Sequence, residues 1–143
     1  IARLTEIGVP PYLISATLIG VVAQRLVRTL CPHCKQSKST DKREWEALIK
    51  PWTTLAPESV SMAEGCLECR QTGFLGRVGI YEMMAINDSL KQEISSGSDL
   101  IKFRKTAIKQ GMKPLNLAGA QKVAKGVTTI EEVLKVAPPR YDG

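Results

Sequence analysis

The most apolar stretch of the chain lies near its beginning, from Val9 to Ala23. Pro10 and Pro11 suit the first turn of a helix, because proline lacks the amide hydrogen that this turn leaves unused. With about 100° of rotation per residue, the apolar side chains cover most of the circumference and leave a narrow polar strip of Thr17, Gln24 and Arg28. The pattern predicts a helix that ends near Leu30 and is buried almost all round.

One charged side chain interrupts this apolar surface. Arg25 falls inside the predicted apolar arc, at an angle between Ile14 and Leu18. A buried guanidinium is costly without a partner, so it needs an anion or carbonyl oxygens. Two interpretations stay open: Arg25 is ion-paired or snorkelling, or it contacts a phosphate or a neighbouring subunit. The stretch is shorter than the roughly 20 apolar residues of a membrane span, which favours a buried helix.

The residue pattern in the middle of the chain predicts a short helix and a strand. Asp41 and Glu44 stand in the spacing of a capping box, and Pro51 ends the helix that they begin. Glycine recurs every third residue from Gly73 to Gly79, ahead of apolar residues, which predicts a turn leading into a strand. The helical insert is expected to have a modest core of Trp45, Leu48, Ile49, Trp52 and Leu55.

Four short helices are predicted in the last third of the chain, and together they would form a small bundle. Each is bounded by a capping residue or proline at its start and by glycine or proline at its end. The predicted starts are Asn87 or Asp88, Ser98, Pro114, and Thr128 or Thr129, and the predicted ends are Gly97, Gly111, Gly126 and Pro138.

Composition indicates a packed globular chain with a basic surface. Hydrophobic residues make up 43% and charged residues 24%, and the net charge is +6. The excess is concentrated between Lys91 and Lys125, where eight basic residues face two acidic ones. Such a patch is typical of solvated helix faces, and it would also suit an acidic partner, an anionic membrane or nucleic acid.

The four cysteines form two Cys-x-x-Cys pairs, Cys31 with Cys34 and Cys66 with Cys69, with 31 residues between the pairs. Each short turn can hold two sulfurs on one side of a Zn²⁺ ion, and two such turns complete its tetrahedral shell. The spacing therefore predicts a structural zinc site without an open position for catalysis. Two disulfides or a redox pair are the alternatives, although a redox pair is expected in a thioredoxin-like setting that the pattern lacks.

The residues beside the cysteines suggest how the site is completed. His33 lies inside the first pair, but four thiolates already fill the shell, so we expect this side chain to be exposed. A Zn²⁺ ion with four thiolates carries a formal charge of about −2. Lys35 and Arg70, each one residue past a pair, can offset that charge.

Three blocks of sequence closely resemble the C-terminal third of the type II secretion and type IV pilus assembly ATPases, the traffic ATPases. They read "AQRLVRTLCPHCK", "GCLECRQTGFLGRVGIYEMMAIND" and "GMKPLNLAGAQKVAKGVTTIEEVLKV", and they occur in the order of that family. The resemblance covers nearly the whole chain. It implies an α+β fold, mostly helical, with the end of a RecA-like domain over residues 1–30, a tetracysteine zinc subdomain over 31–70, and a strand with a helical subdomain over 71–143.

The resemblance also implies a setting for the parent protein. That protein would be a hexameric ATPase at the cytoplasmic face of the bacterial inner membrane. Its partners would be the other subunits and the inner-membrane platform proteins of a secretion or pilus system, through which it would be peripheral to the membrane. In that protein the place of Arg25 on the predicted apolar arc would suit a nucleotide or subunit contact, and Cys31, Cys34, Cys66 and Cys69 would bind the zinc.

The chain departs from the family in one respect that bears on activity. It contains no G-x-x-x-x-G-K-[ST] sequence and only one histidine, and the family's nucleotide-binding motifs would lie upstream of Ile1. ATP and Mg²⁺ are therefore expected only in the parent protein, and this chain should be inactive alone. The alternative is a zinc-ribbon-like nucleic-acid module, but the basic stretch holds only Phe103 and Arg104 as stacking or fork-like groups, so no nucleic acid is expected.

Overall fold

The computed structural model describes residues 1–97 and 99–139. Both helices and strands are present in this range, in separate groups along the chain, which confirms the α+β class. The strands form two small sheets, in which β1 pairs with β4 and β2 pairs with β3. The elements are α1 (Ala2–Glu6), α2 (Pro11–Thr17), β1 (Gly20–Leu30), β2 (Gln36–Ser39), α3 (Lys42–Ile49), β3 (Ser59–Met62), β4 (Phe74–Ala85), α4 (Asp88–Ser95), α5 (Leu100–Lys109), α6 (Leu115–Ala124) and α7 (Ile130–Val136).

The predicted helix from Pro10 to Leu30 is wrong beyond its first two turns. Only α2 is helical, and residues 20–30 form β1. Consecutive β-branched residues such as Val21 and Val22 favour an extended backbone. Pairing with β4, about 55 residues away in sequence, then stabilises the strand. Local periodicity cannot reveal such a distant partner. The strand is also largely exposed, so the expectation of burial all round is wrong too.

The chain divides into two compact units. The first consists of residues 1–23, 82–97 and 99–114, and the second consists of residues 24–81 and 115–139. The four helices predicted in the last third are all present. Because α4 and α5 belong to the first unit and α6 and α7 to the second, they are divided between the units rather than gathered in one bundle.

In the first unit α4 packs against both α2 and α5. The hydroxyl of Ser95 donates a 2.9 Å hydrogen bond to the hydroxyl of Ser15 at the contact between α2 and α4. Arg104 of α5 forms a two-bond ion pair with Glu82 of β4, at 3.1 and 3.2 Å. The buried apolar side chains of this unit are Ile14, Leu90, Ile94, Phe103, Ala107 and Met112.

In the second unit the segment between the cysteine pairs shares one core with the C-terminal helices. Antiparallel β2 and β3 pair from Gln36 opposite Met62 to Ser39 opposite Ser59, and this two-stranded sheet was not predicted. Helix α3 packs against α6 and α7. The insert therefore has no separate core, and Leu55, which was expected in it, is 97% exposed. The shared core contains Val27, Trp45, Leu48, Ile49, Val60, Ile80, Ala120, Val123, Ile130, Val133 and Ala137.

The caps observed at the starts of three helices are those that the sequence predicts. Asp41 accepts hydrogen bonds from the amides of the first turn of α3, Asn87 accepts one from Leu90, and Thr129 accepts one from Glu132. The predicted cap at Ser98 lies outside the described residues. Among the helices that the structure describes, none combines the length and hydropathy needed to cross a bilayer.

Candidate metal centre

The fold brings all four cysteines together in the second unit. Cys31 and Cys34 stand in the turn that follows β1, and Cys66 and Cys69 stand in the turn that precedes β4. The four Sγ atoms lie within 4.8 Å of one another. The spacing prediction that the two pairs face each other is therefore confirmed, and the cluster could hold a metal ion.

Three of the six distances between the sulfurs match the edges of a tetrahedral shell. A zinc–sulfur bond of about 2.3 Å places the corners of a regular tetrahedron about 3.8 Å apart. The observed Sγ–Sγ distances are 3.9 Å for Cys31 with Cys66, 3.8 Å for Cys34 with Cys69, and 3.7 Å for Cys66 with Cys69. A disulfide requires about 2.05 Å, so none of these pairs is bonded. The arrangement fits a single ion coordinated by four sulfurs.

Backbone amides converge on one of the sulfurs. The amides of Cys66 and Gly73 each donate to Cys69 Sγ at 3.2 Å. The chain reaches this geometry by turning back after the second pair, where Arg70 and Gln71 both adopt positive φ angles. N–H groups that point at a sulfur stabilise its thiolate form, which is the form that binds metal.

The same geometry gives two of the thiols very different pKa values. Burial raises the pKa of the Cys69 thiol, but hydrogen bonds from the amides of Cys66 and Gly73 outweigh burial and bring that pKa down to about 6. Burial raises the pKa of the Cys34 thiol to about 12. Four thiolates this close would repel one another, so the fully ionised cluster requires a cation among them.

Burial of the cluster indicates a structural role. Cys31, Cys34 and Cys69 are buried, and Cys66 is partly exposed. His33 is exposed, as predicted, and does not belong to the group of possible ligands within the described residues. A closed shell of four sulfurs leaves no position for a reacting water molecule.

The lysine that follows the first pair makes a contact that the sequence did not predict. Lys35 was expected to offset the charge of the metal site, and that role stays a prediction. Its ammonium group donates a 2.9 Å hydrogen bond to the carbonyl oxygen of Gly126, in the turn between α6 and α7. Arg70, assigned the same role, is exposed.

Arg25 lies on strand β1 and not on a buried helical arc. Its side chain is exposed, and its guanidinium donates to the carbonyl oxygen of Gln24 at 2.8 Å. The expected apolar surroundings are therefore wrong, since they depended on the helix that does not form. Contact with a nucleotide or with a neighbouring subunit stays a prediction.

The sequence did not predict an ion pair between β1 and α7. Arg28 bonds Glu132 at 2.6 Å and lies 4.0 Å from the centre of the Phe74 ring. Lys135 adds a second cation to Glu132, at 3.0 Å. The sequence offered one weak signal, because Glu132 follows the capping Thr129 at capping-box spacing, but nothing linked it to a residue of β1.

Comparison with known proteins identifies the relatives of this chain. Residues 1–135 match the model of the family described as Type II/IV secretion system protein. The chain is 49% identical to the type IV pilus assembly ATPase TfpB of Acinetobacter baylyi, over 96% of its own length and 24% of the relative. It is 41% identical to the type II secretion system protein E of Pseudomonas aeruginosa, over 95% of its own length and 26% of the relative.

A more distant relative agrees with these two. The chain is 38% identical to the type IV pilus assembly ATPase PilB of Thermus thermophilus, over 94% of its own length and 15% of that protein. The chain thus spans about a quarter or less of these relatives. Since the family match covers residues 1–135 of 143, the chain belongs to the Type II/IV secretion system protein family.

Proposed function

We propose that this chain is the zinc-binding C-terminal region of a hexameric ATPase that powers type II protein secretion or type IV pilus assembly. The observation that carries the proposal is the family match over residues 1–135, with relatives named as ATPases of pilus assembly and as components of type II secretion. The parent protein would act at the cytoplasmic face of the inner membrane. It would contact the other subunits and the platform proteins of its system.

Within that protein the four cysteines would bind one structural Zn²⁺ ion. The support is the set of Sγ–Sγ distances of 3.7–3.9 Å, which match a tetrahedron of zinc–sulfur bonds. The ion would neutralise four thiolates and connect two turns that are more than 30 residues apart in sequence. The residues here bind and shield the ion, and none of them performs a reaction on it.

ATP hydrolysis would belong to the longer protein. The printed sequence contains no phosphate-binding loop of the G-x-x-x-x-G-K-[ST] type, the loop that holds the β- and γ-phosphates in P-loop enzymes. We therefore expect the 143-residue chain to release no phosphate from ATP with Mg²⁺. The longer protein that contains this chain should hydrolyse ATP.

The test uses the longer protein encoded by the parent gene. Wild-type protein and a Cys34→Ser variant are purified, and their zinc content, oligomeric state and ATPase rate are measured. We expect about one zinc per chain and a hexamer in the wild type, and loss of zinc in the variant. A zinc-free wild-type protein would refute the metal assignment, and a protein that hydrolyses no ATP would refute the motor assignment.

A gene deletion separates the two biological settings. Cells without the parent gene are assayed for extracellular enzyme activity and, separately, for surface pili. Loss of secretion alone would assign the protein to type II secretion, and loss of pili alone would assign it to pilus assembly. If both processes continue normally, the proposed function is wrong.

A further inference from the structure

The turn between α6 and α7, residues 126–129, is attached to the metal centre on both sides of the first cysteine pair. The amide of Leu30, which precedes the pair, donates to the carbonyl oxygen of Val127 at 2.9 Å. The ammonium group of Lys35, which follows the pair, donates to the carbonyl oxygen of Gly126 at 2.9 Å. The first cysteine pair is thus held between two hydrogen bonds to one turn.

The second cysteine pair is connected to the first through the residue that begins the return to β4. Gly73 donates its amide hydrogen to Cys69 Sγ at 3.2 Å. The carbonyl oxygen of the same residue accepts a 2.9 Å hydrogen bond from the amide of Cys31. A Cβ at this position would lie only 2.6 Å from the side chain of Ala63, so the backbone passes here as closely as glycine allows.

From the second pair, contacts continue to α7. Phe74 follows Gly73 and lies against the guanidinium of Arg28, 4.0 Å from the ring centre. Arg28 in turn pairs with Glu132 at 2.6 Å. The hydroxyl of Thr128 donates to the carbonyl oxygen of Arg28 at 2.8 Å. Both cysteine pairs are therefore linked to the turn that begins α7, by separate sets of contacts.

A cavity of about 300 Å³ is lined in part by the segments that make these attachments. One wall consists of Thr129 to Glu132 at the start of α7, and another consists of Phe74. A third wall is formed by Val60 to Ala63, in the segment between the two cysteine pairs. These three walls are thus supplied by segments that hydrogen bond, or lead directly, to a cysteine turn, and Glu44 of α3 is also part of the lining.

We propose that a metal ion in the four-cysteine site fixes the turn between α6 and α7, and through it the position of α7 and the shape of this cavity. The inference rests on the proposed metal binding. Without the ion the two cysteine turns have no common centre, since four thiolates repel one another and four thiols attract only weakly. Separation of the turns withdraws Leu30 and Lys35 from the turn, so the start of α7 loses these two hydrogen bonds while its core packing against α3 and α6 remains.

Amide hydrogen exchange of the 143-residue chain, with zinc and after removal of zinc by a chelator, tests this inference. The reporting amides are those of Val127, which donates back to Lys122 in α6, and of Glu132 and Val133, which donate to Thr129 at the start of α7. We expect their exchange to become at least about tenfold faster without zinc. The amide of Leu90, in the other unit, should exchange at an unchanged rate.

A variant that retains the metal separates this coupling from general loosening of the second unit. Lys35→Met removes the hydrogen bond to Gly126 but no sulfur. We expect bound zinc and about fivefold faster exchange at Val127, the effect of one net hydrogen bond, with no change at Trp45 in α3. Lys42→Met is the matched control, because Lys42 is exposed at the start of α3 and should leave every rate unchanged.

The coupling must also operate in the opposite direction, because linkage between two events is reciprocal. Thr128→Val removes the hydroxyl that holds the turn to Arg28 and changes no charge near the sulfurs. We expect this variant to lose zinc to a competing chelator at about fivefold lower chelator concentration. Thr106→Val removes a comparable hydroxyl hydrogen bond in the other unit and should leave zinc retention as in the wild type.

The outcomes distinguish failure of the inference from failure of the proposed function. A chain that binds zinc but shows equal exchange in α7 with and without it would overturn the inference and leave the metal site intact. Unchanged zinc retention in Thr128→Val would do the same. A chain that binds no zinc would overturn the metal assignment together with the inference that depends on it.

Discussion

Arg28 and Glu132 are separated by 104 residues in sequence, and their side chains form a hydrogen-bonded ion pair of 2.6 Å. Glu132 is buried, whereas the side chain of Arg28 is 46% exposed. The amide of Arg28 also donates to this carboxylate, at 3.3 Å. The carboxylate is thus removed from water but receives bonds from a strand and, through Lys135, from its own helix.

This pair predicts a loss of stability in acid. The hydrogen bond from Arg28, with smaller contributions from Lys135, outweighs burial and lowers the pKa of Glu132 from 4.5 to about 2. Because the folded-state pKa lies below the unfolded value, the stabilisation is complete above about pH 4.5 and is lost as pH falls towards 2. We expect Glu132→Gln to lower the free energy of unfolding by about 2 kcal/mol at pH 7, measured in urea, with a smaller difference at pH 3.

The neighbouring glutamate supplies the control for this experiment. Glu131 is exposed on the same turn of α7, so Glu131→Gln should change stability by less than about 0.5 kcal/mol. Acid also weakens metal binding by protonating thiolates, and both variants share that effect. Equal pH dependence of the two variants would contradict the role assigned to Glu132.

A second prediction concerns the buried amide of Asn116. Its Nδ2 donates to the carbonyl oxygens of Leu48 at 2.9 Å and of Lys50 at 3.2 Å, which attaches α6 to the end of α3. Asn116→Ala would leave these carbonyls without that donor, and we expect a loss of about 1–3 kcal/mol in the free energy of unfolding. Gln121→Ala, on the exposed side of the same helix, should have little effect. Similar losses in the two variants would show that the hydrogen bonds contribute nothing specific.

A third prediction concerns metal content. Each of the four variants Cys31→Ser, Cys34→Ser, Cys66→Ser and Cys69→Ser replaces a thiolate by a weak ligand and opens the shell. Elemental analysis should find about one zinc per chain in the wild type and loss of zinc in every variant. Wild-type chain that is purified from a reducing compartment without metal, and with two disulfides by mass spectrometry, would contradict this assignment.

A fourth prediction concerns Arg25. If this exposed strand residue contacts a nucleotide or a neighbouring subunit in the parent protein, Arg25→Ala should reduce the ATPase rate of that protein by at least about tenfold without changing its melting temperature. Lys42→Ala, another exposed basic position, serves as the control. If the ATPase rate of Arg25→Ala is unchanged, the residue is only a solvated side chain on β1 and the predicted contact is wrong.

The sequence predicted those features that depend on neighbouring residues. The caps at Asp41 and Asn87 act on amides two or three residues away, so local spacing was sufficient to find them. The cysteine cluster was predictable because zinc coordination imposes a short spacing within each pair. In each case the physical cause lies within a few residues of the pattern that reveals it.

Features that depend on distant partners were not predictable. Residues 20–30 show an apolar spacing compatible with a helix, and only their pairing with β4 makes them a strand. The bonds of Asn116 and of Arg28 span 66 to 104 residues, and no local pattern records them. The core of the insert was likewise misjudged, because α3 packs against helices that follow it by more than 60 residues.

The shared core of α3 with α6 and α7 has a consequence for synthesis of the protein. A chain leaves the ribosome from its N-terminus, so the cysteine pairs and α3 emerge well before the helices that cover Trp45, Leu48 and Ile49. Until α7 is complete, these side chains form an uncovered apolar surface on a nascent chain that already has all its cysteines. Such surfaces attract chaperones and promote aggregation. A chain truncated before Leu115 would carry that exposure permanently.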